Sequence, residues 1–286
     1  MVAIQGGPFL MGSRGSDPNR EAFEVLHRKR IGRRFAVSAT AVTRAQYRVF
    51  QEANQDDVMD VVNHPEISAL ARREDAPITG VMWYEAAAYC NWLSEREGIA
   101  EDQWCYDRNA EGNFGPGMRP KSNYLALLGY RLPSEAECKY SCQAGAITRR
   151  YYGHSDDLLS EYAWYNENSG NRVSSGGLKK PNDFGLFDVL GNVWTWCHNR
   201  SSQYGETEAD GRDVAPVNNG ELRVVHGAAF YYWARHLRSA KRNKYSPNDR
   251  VTNVGFRVAR TYPLPPLPLA PSLPPKAARE HPEEPR

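Results

Sequence analysis

The sequence predicts an α+β domain, and three observations carry that expectation. Two segments, residues 84–96 and 135–144, have helical spacing and clear end signals. Several short apolar pieces alternate in the strand period between clusters of Gly, Asn, Ser and Pro. From residue 146 to residue 260 no long helical pattern occurs, so most of the second half is expected to be short strands and loops.

The 286 residues carry 41% hydrophobic and 24% charged side chains, ordinary for a globular protein. Lys and Arg total 36 against 34 Asp and Glu, a net charge of +2. No global field therefore points to nucleic acid or a membrane. The apolar runs fall far short of the roughly 20 residues that span a bilayer. The start, MVAIQGGPFLMGS, lacks a basic segment followed by an apolar one, so no signal peptide is expected and the chain reads as cytoplasmic. Five cysteines at irregular spacing do not make a disulfide framework. Cys138 and Cys142, four apart on a predicted helix, share a face; a redox or metal pair is one reading, two small buried hydrophobes the favoured one. The seven histidines show no zinc spacing.

In chain order, the apolar residues 4–12 are cut by glycines and predict strand and tight turn, and residues 35–38 predict another strand. Thr43 is a candidate N-cap for a helix carrying Ala45, Tyr47, Val49 and Phe50. Residues 52–76 are polar and acidic and predict a surface loop. In the helix at 84–96, Ala86, Tyr89 and Leu93 mark the apolar face, Ala87, Cys90, Asn91 and Ser94 follow a second line, and Gly98 stands where a C-terminal cap belongs. Residues 101–123 read as a long loop. Ser134 followed by Glu137 is a capping box, two reciprocal hydrogen bonds to otherwise orphaned N–H groups. In residues 193–196 the alternation of a strand puts Trp194 and Trp196 on one face, where core packing is favoured over lining a pocket. Residues 1–260 are read as one domain. Residues 261–286 hold nine of the 19 prolines and are expected to sample polyproline II, ending in a disordered charged tail.

Residues 223–260 are the most informative stretch. They contain four consecutive aromatics, Phe230, Tyr231, Tyr232 and Trp233, and nine Lys or Arg against one acid, Asp249. Read as a strand, at most two of the four aromatics face the core. Tyr carries a hydroxyl that wants water or a partner, which favours partial exposure. The basic residues have two readings, an anionic or nucleic-acid ligand or arginines paired with buried acids and carbonyls; the second is favoured. No nucleophile, base or metal-ligand set is evident here.

Five pieces occur in order: GGPFLMGS at 6–13, VTRAQYRVF at 42–50, YRLPSEAE at 130–137, GLFDVLGNVWTW at 185–196 and NVGFRVAR at 253–260. Together they resemble the formylglycine-generating enzyme (sulfatase-modifying factor) family over nearly everything but the tail. The resemblance implies a C-type-lectin-like fold with two main helices, a small twisted sheet and much irregular chain. Enzymes of that family oxidise a substrate cysteine with O2 and a copper ion held by two cysteines shortly after a GGS motif. The matching stretch here is Gly227, Ala228, Ala229, Phe230, Tyr231, Tyr232. The first cysteine position falls on Tyr232, and no cysteine occurs after Cys197. Copper is therefore not expected, since Cu(I) in such a site needs soft thiolates. An iron-dependent branch of sulfoxide synthases adds a helical bundle with histidines, and no such bundle is visible in these residues.

The chain also resembles variable proteins of diversity-generating retroelements, which display diversified residues on this part of the fold. Arg238-Ser239-Ala240, Arg242-Asn243, Pro247, Arg250 and residues 253–257 match their constant positions. Phe, Tyr, His, Asp, Val and Thr, found between them, can each arise from an AAY asparagine codon by changes at adenine only; Trp233 cannot. Residues 177–188 resemble stand-alone or kinase-linked bacterial members of unassigned role. The resemblance thus implies a non-catalytic binding protein whose ligand, a protein or a small molecule, meets the face of residues 226–253. Its candidate contacts are Phe230, Tyr231, Tyr232, Trp233, His236, Tyr245, Asn248, Asp249, Val251 and Thr252. The alternative is a family oxidoreductase, of the sulfatase-modifying or non-heme-iron type, with an altered site. Nucleic-acid and membrane partners are not expected. A calcium site is implied at Asp188, Gly191 and Val193, with Thr195 where the family has Glu. Asp188 is a good hard-oxygen donor, but the missing carboxylate lowers the expected affinity.

Overall fold

The computed structural model describes residues 1–55, 58–202 and 213–262. In chain order the strands and helices are β1 (Val2–Gln5), β2 (Pro8–Met11), β3 (His27–Arg30), β4 (Arg34–Val37), α1 (Arg44–Ala53), α2 (Pro65–Leu70), α3 (Trp83–Arg96), β5 (Tyr106–Asp107), β6 (Arg119–Pro120), α4 (Glu135–Gln143), α5 (Leu159–Tyr162), β7 (Trp194–Arg200), β8 (Arg223–His226), β9 (Arg242–Tyr245), β10 (Val254–Gly255) and β11 (Ala259–Thr261). This is the α+β, C-type-lectin-like architecture of small sheets, two main helices α3 and α4, and much irregular chain. Among the described residues no helix is long and apolar enough to cross a membrane.

Two sheets organise the domain. In the first, β4 lies between β1 and β11, antiparallel to both, with Val37 opposite Val2 on one side and Ala259 on the other. The start and the end of the domain thus meet on one strand. Thr261, beyond the expected domain edge at 260, is paired with Phe35; the proline-rich stretch from 263 onward lies outside the described residues. The second sheet has the order β10-β7-β8-β9, with β10 parallel to β7 and the other pairs antiparallel. It carries the candidate site. The apolar segment over residues 4–12, expected as strand and tight turn cut by glycines, is β1 and β2 separated at Gly6-Gly7, and β2 pairs with β3.

The helix ends follow their local chemistry. Thr43 Oγ1 accepts from Gln46 N while the Gln46 side chain accepts from Thr43 N, closing a capping box on α1. Ser134 and Glu137 close the same device on α4. That helix stops at Ala144 in the left-handed region, with Gly145 next in the chain. Glu137 does more than cap: Arg131 donates to both its oxygens at 2.6 and 2.7 Å, and Arg33 adds a further cation. Burial alone would raise the Glu137 pKa, but these guanidiniums win and hold it well below the usual carboxylate range.

Several expectations are corrected. Residues 52–76 are not a plain surface loop, because α2 lies within them and Val61, Val62, Ile67, Ala71 and Ala76 are buried. The polar composition hid a few apolar anchors too widely spaced to form a pattern. In α3 both lines of side chains are buried, Ala87, Cys90, Asn91 and Ser94 as well as Ala86 and Tyr89. The helix is enclosed by α1 and the strand region around β5, so one-face amphipathicity does not describe it. Residues 101–123 contain the small β5–β6 pair. Of the two helix cysteines expected as small buried side chains, Cys142 is buried, with its sulfur toward the Val189 carbonyl, while Cys138 is only partly buried and contacts Cys197.

Candidate functional site

The site is built where β8 ends. Gly227 and Ala228 both take positive φ, +108° and +65°, so the chain leaves strand geometry just before the aromatic run. Alanine in that region costs on the order of 1 kcal/mol, which the surrounding packing must offset. The run is therefore a turn leading into a short 3-10 segment, Ala234–His236, and not a strand. Phe230 is driven into the core at 2% exposure; its N–H donates to Asn192 O and its carbonyl accepts from Ser169 Oγ. This corrects its placement on the binding face. Tyr231 and Trp233 are exposed and Tyr232 is half-buried.

Three tyrosines gather here. Tyr231 and Tyr232 stack at 4.8 Å with rings 22° apart, and Tyr232 meets the buried Trp194 edge-on at 5.4 Å. Tyr245 at the end of β9 packs edge-on against Trp196 and accepts from Asn243 Nδ2 at 3.2 Å. Burial, then the neighbouring Tyr232, pushes the Tyr231 phenol far up, and the same two causes push Tyr245 up to about 12. Both stay neutral at ordinary pH and act as hydrogen-bonding phenols. Asn253 donates from Nδ2 to the Tyr231 hydroxyl at 2.6 Å, and its backbone carbonyl accepts from Trp194 N. In this cluster the Trp194 indole Nε1–H and the Asn253 Oδ1 are buried with no hydrogen-bond partner among the described residues. Each leaves hydrogen-bonding capacity that water or a further group can fill.

The remaining candidates surround this cluster. His236 packs edge-on against Tyr232; burial, then Lys241 and Arg235, lower its pKa. Asn248 is exposed and accepts from Ser246 Oγ, while Asp249 accepts from Ser246 N. These two side chains fold their own turn. Val251 packs on the core and Thr252 is half-buried. Four arginines of the stretch are engaged: Arg238 with Glu24, Arg242 with Glu135, Arg250 with Glu85, and Arg257 with the carbonyls of Ser38, Ala39 and Phe187. Asn243 and Asn253 escaped the sequence reading. Their signal was an Asn immediately after Arg242 and another before Val254-Gly255-Phe256-Arg257, but nothing local ties either to a tyrosine.

Neither implied metal finds a suitable donor set. Where the resemblance implies copper, residues 226–260 contain no sulfur to bind a soft ion. Around Asp188 the case is mixed. Oδ2 accepts from Gly177 N at 2.8 Å and Oδ1 is an orphan, which suits a cation. Arg257 and Lys179 already act on that carboxylate, however, and Thr195 stands at the sequence position where the resemblance implies a Glu. One carboxylate beside two cations does not fit calcium, whose affinity depends on the count of charged ligands. Gly191 has a structural reason of its own to be there: at φ +77° it bridges Trp164, and a Cβ would lie 2.2 Å from the Trp164 carbonyl oxygen. Val193 is buried in the core.

The fold and this site define a class: a lectin-like domain whose family active-site position holds tyrosines. The chain belongs to the sulfatase-modifying factor enzyme 1-like domain family, which it matches over residues 1–262. It is 27% identical to a formylglycine-generating enzyme of Streptomyces coelicolor, over 90% of this chain and 88% of that one. To the mouse formylglycine-generating enzyme it is 25% identical over 68% of this chain, but spans only 48% of the mouse protein. Against the serine/threonine-protein kinase pkn1 of Chlamydia caviae it is 26% identical, over 91% of this chain and 38% of the kinase. Solved structures of PvdO from Pseudomonas aeruginosa and of Treponema denticola variable protein 1 superpose with TM-scores of 0.72 each, at 23% and 24% identity. Each alignment covers 91% of this chain and 94% of the other. At that identity the two structures show the shared fold.

Proposed function

We propose that the protein is a non-catalytic ligand-binding member of the family, which takes its ligand on the Tyr231, Tyr232, Trp233 and Tyr245 face. The observation that carries this reading is the Tyr231–Tyr232 stack, set beside a tryptophan and an asparagine with unsatisfied polar atoms, in a stretch without any cysteine. Rigid aromatic rings give contact area at low entropic cost, and phenols and amides beside them supply adaptable hydrogen bonds. The likeness to a Treponema variable protein supports a display role for this surface. The enzyme relatives support the alternative, a family oxidoreductase with an altered site.

Two experiments separate the readings. Arrays of peptides and small molecules are probed with labelled wild-type protein and with a Tyr231→Ala/Trp233→Ala double variant. Spots bound by the wild type and lost by the variant support the binding face, and spots bound equally by both sink it. Anaerobic Cu(I) titration, followed by admission of O2 in the presence of a thiol-peptide substrate, tests the alternative: tight copper binding and then aldehyde formation with consumption of O2 would establish the oxidase. Diversification is tested at the DNA level. A nearby reverse transcriptase and a near-copy of the coding region for residues 226–257, differing mainly at adenines, is the expected signature.

A further inference from the structure

A pair of thiols lies outside the candidate face. Cys138, in the middle of α4, and Cys197, in β7, approach with their sulfurs 3.2 Å apart, although 59 residues separate them in sequence. Cys197 donates its S–H and Cys138 accepts. Cys197 is fully buried, whereas Cys138 is partly exposed and lines a small cavity of about 30 Å³ with Cys142, Thr195 and His226. The accepting residue is thus the partly exposed one of the pair. A disulfide requires sulfurs about 2.0 Å apart, so the gap closes by roughly 1 Å, within the reach of side-chain rotation beside a cavity. The other thiols are differently placed. Cys90, Cys105 and Cys142 are buried, Cys105 donates to the carbonyls of Tyr124 and Gly129, and Cys142 donates to Val189.

We propose that Cys138 and Cys197 form a dithiol that a low-molecular-weight disulfide oxidises to an intramolecular disulfide joining α4 to β7. The Cys138 sulfur, as thiolate, attacks one sulfur of the oxidant RSSR, forms a mixed disulfide and expels RS⁻. The Cys197 sulfur then attacks Cys138 Sγ, forms the internal S–S bond and expels the second RS⁻. The two thiol protons leave with the two thiolates as two RSH, and the two electrons pass to the oxidant. The bond would fasten the helix to the strand whose first residue, Trp194, backs Tyr232. Oxidation therefore acts on the support of the candidate face while leaving that face free of sulfur.

The test incubates the reduced full chain with glutathione disulfide, then reads intact mass, thiol titration in denaturant and a peptide map. The expected product is lighter by two hydrogens, retains three of the five thiols, yields a peptide linking Cys138 to Cys197, and reverts with dithiothreitol. Cys142→Ser should close at the wild-type rate, and Cys197→Ser should stop at a glutathione adduct on Cys138. A Cys138–Cys142 link, a persistent glutathione adduct in the wild type, or five unchanged thiols would each overturn the proposal. If Cys197→Ser does not fold, the wild-type peptide map decides alone.

Discussion

Asn253 and Tyr231 hold each other in place: the Asn253 amide donates to the Tyr231 hydroxyl at 2.6 Å, from a residue only 1% exposed to one that is 42% exposed. The bond joins the loop before β10 to the turn after β8 and fixes the ring on which Tyr232 stacks. Tyr231→Phe removes the acceptor and leaves the buried amide with water alone to meet it. The expected loss is about 0.5–1.5 kcal/mol of stability, read from urea denaturation. A loss near zero would mean that the amide finds another partner.

Trp233, by contrast, is 54% exposed and terminates the aromatic run without entering the core. Trp233→Ala should leave stability within about 0.5 kcal/mol of the wild type, as surface substitutions away from caps and charges do. The same variant should weaken every ligand recovered with the wild-type protein. A drop in stability with unchanged binding would mark Trp233 as packing.

Arg238 sits in the stretch that makes the region look basic, yet it is 1% exposed and donates to both oxygens of the fully buried Glu24 at 2.7 and 2.8 Å. Ser13 donates to the same carboxylate. Glu24→Gln strips the close carboxylate and leaves a buried guanidinium with the more distant Asp17 as its remaining ion-pair partner, beside the neutral acceptors Ser13 Oγ and Arg235 O. Breaking a buried pair in this way costs about 3–5 kcal/mol. Chemical denaturation checks it, and a loss under about 1 kcal/mol would show that solvent reaches the pair.

His226, at the end of β8, is expected to make the protein acid-sensitive. Burial, then the charge of Lys139, lowers its pKa to about 3, while its Nε2–H donates to Ser239 O. His198, also buried, is lowered to about 4. In the unfolded chain both titrate near 6.5. Between that value and the folded pKa the unfolded state binds protons the folded state refuses, so stability is full above about pH 6.5 and falls as pH drops. The slope is about 1.4 kcal/mol per pH unit for each group. His226→Gln, which keeps a donor for Ser239, should flatten the decline between about pH 6.5 and 5 relative to the wild type. Identical slopes would show that His226 protonates freely in the folded state.

Much of this was legible in the sequence because its causes are local. The capping boxes at Thr43 and Ser134 need only residues three apart, and β7 announces itself by the alternation of Trp194 and Trp196. The absence of sulfur after Cys197 is a fact of composition that needs no coordinates. The burial of Val61, Val62 and Ile67 was not legible, because isolated apolar residues in polar chain become core only when a neighbouring element covers them.

For the aromatic run, the sequence determined its presence, its phenols and the absence of cysteine around it. Tertiary structure decided which rings face outward. Two consecutive positive-φ residues, Gly227 and Ala228, turn the chain out of β8, so the two-residue alternation of a strand does not govern the four aromatics beyond them. Phe230 falls inward on Asn192, Tyr231 is caught by Asn253, and Tyr232 comes to rest on Trp194. Each of those partners lies 22 residues or more away in the chain, beyond the reach of any local pattern. The meeting of Cys138 with Cys197 has the same origin: the helix supplies one sulfur, the sheet supplies the other, and only their packing brings the two together.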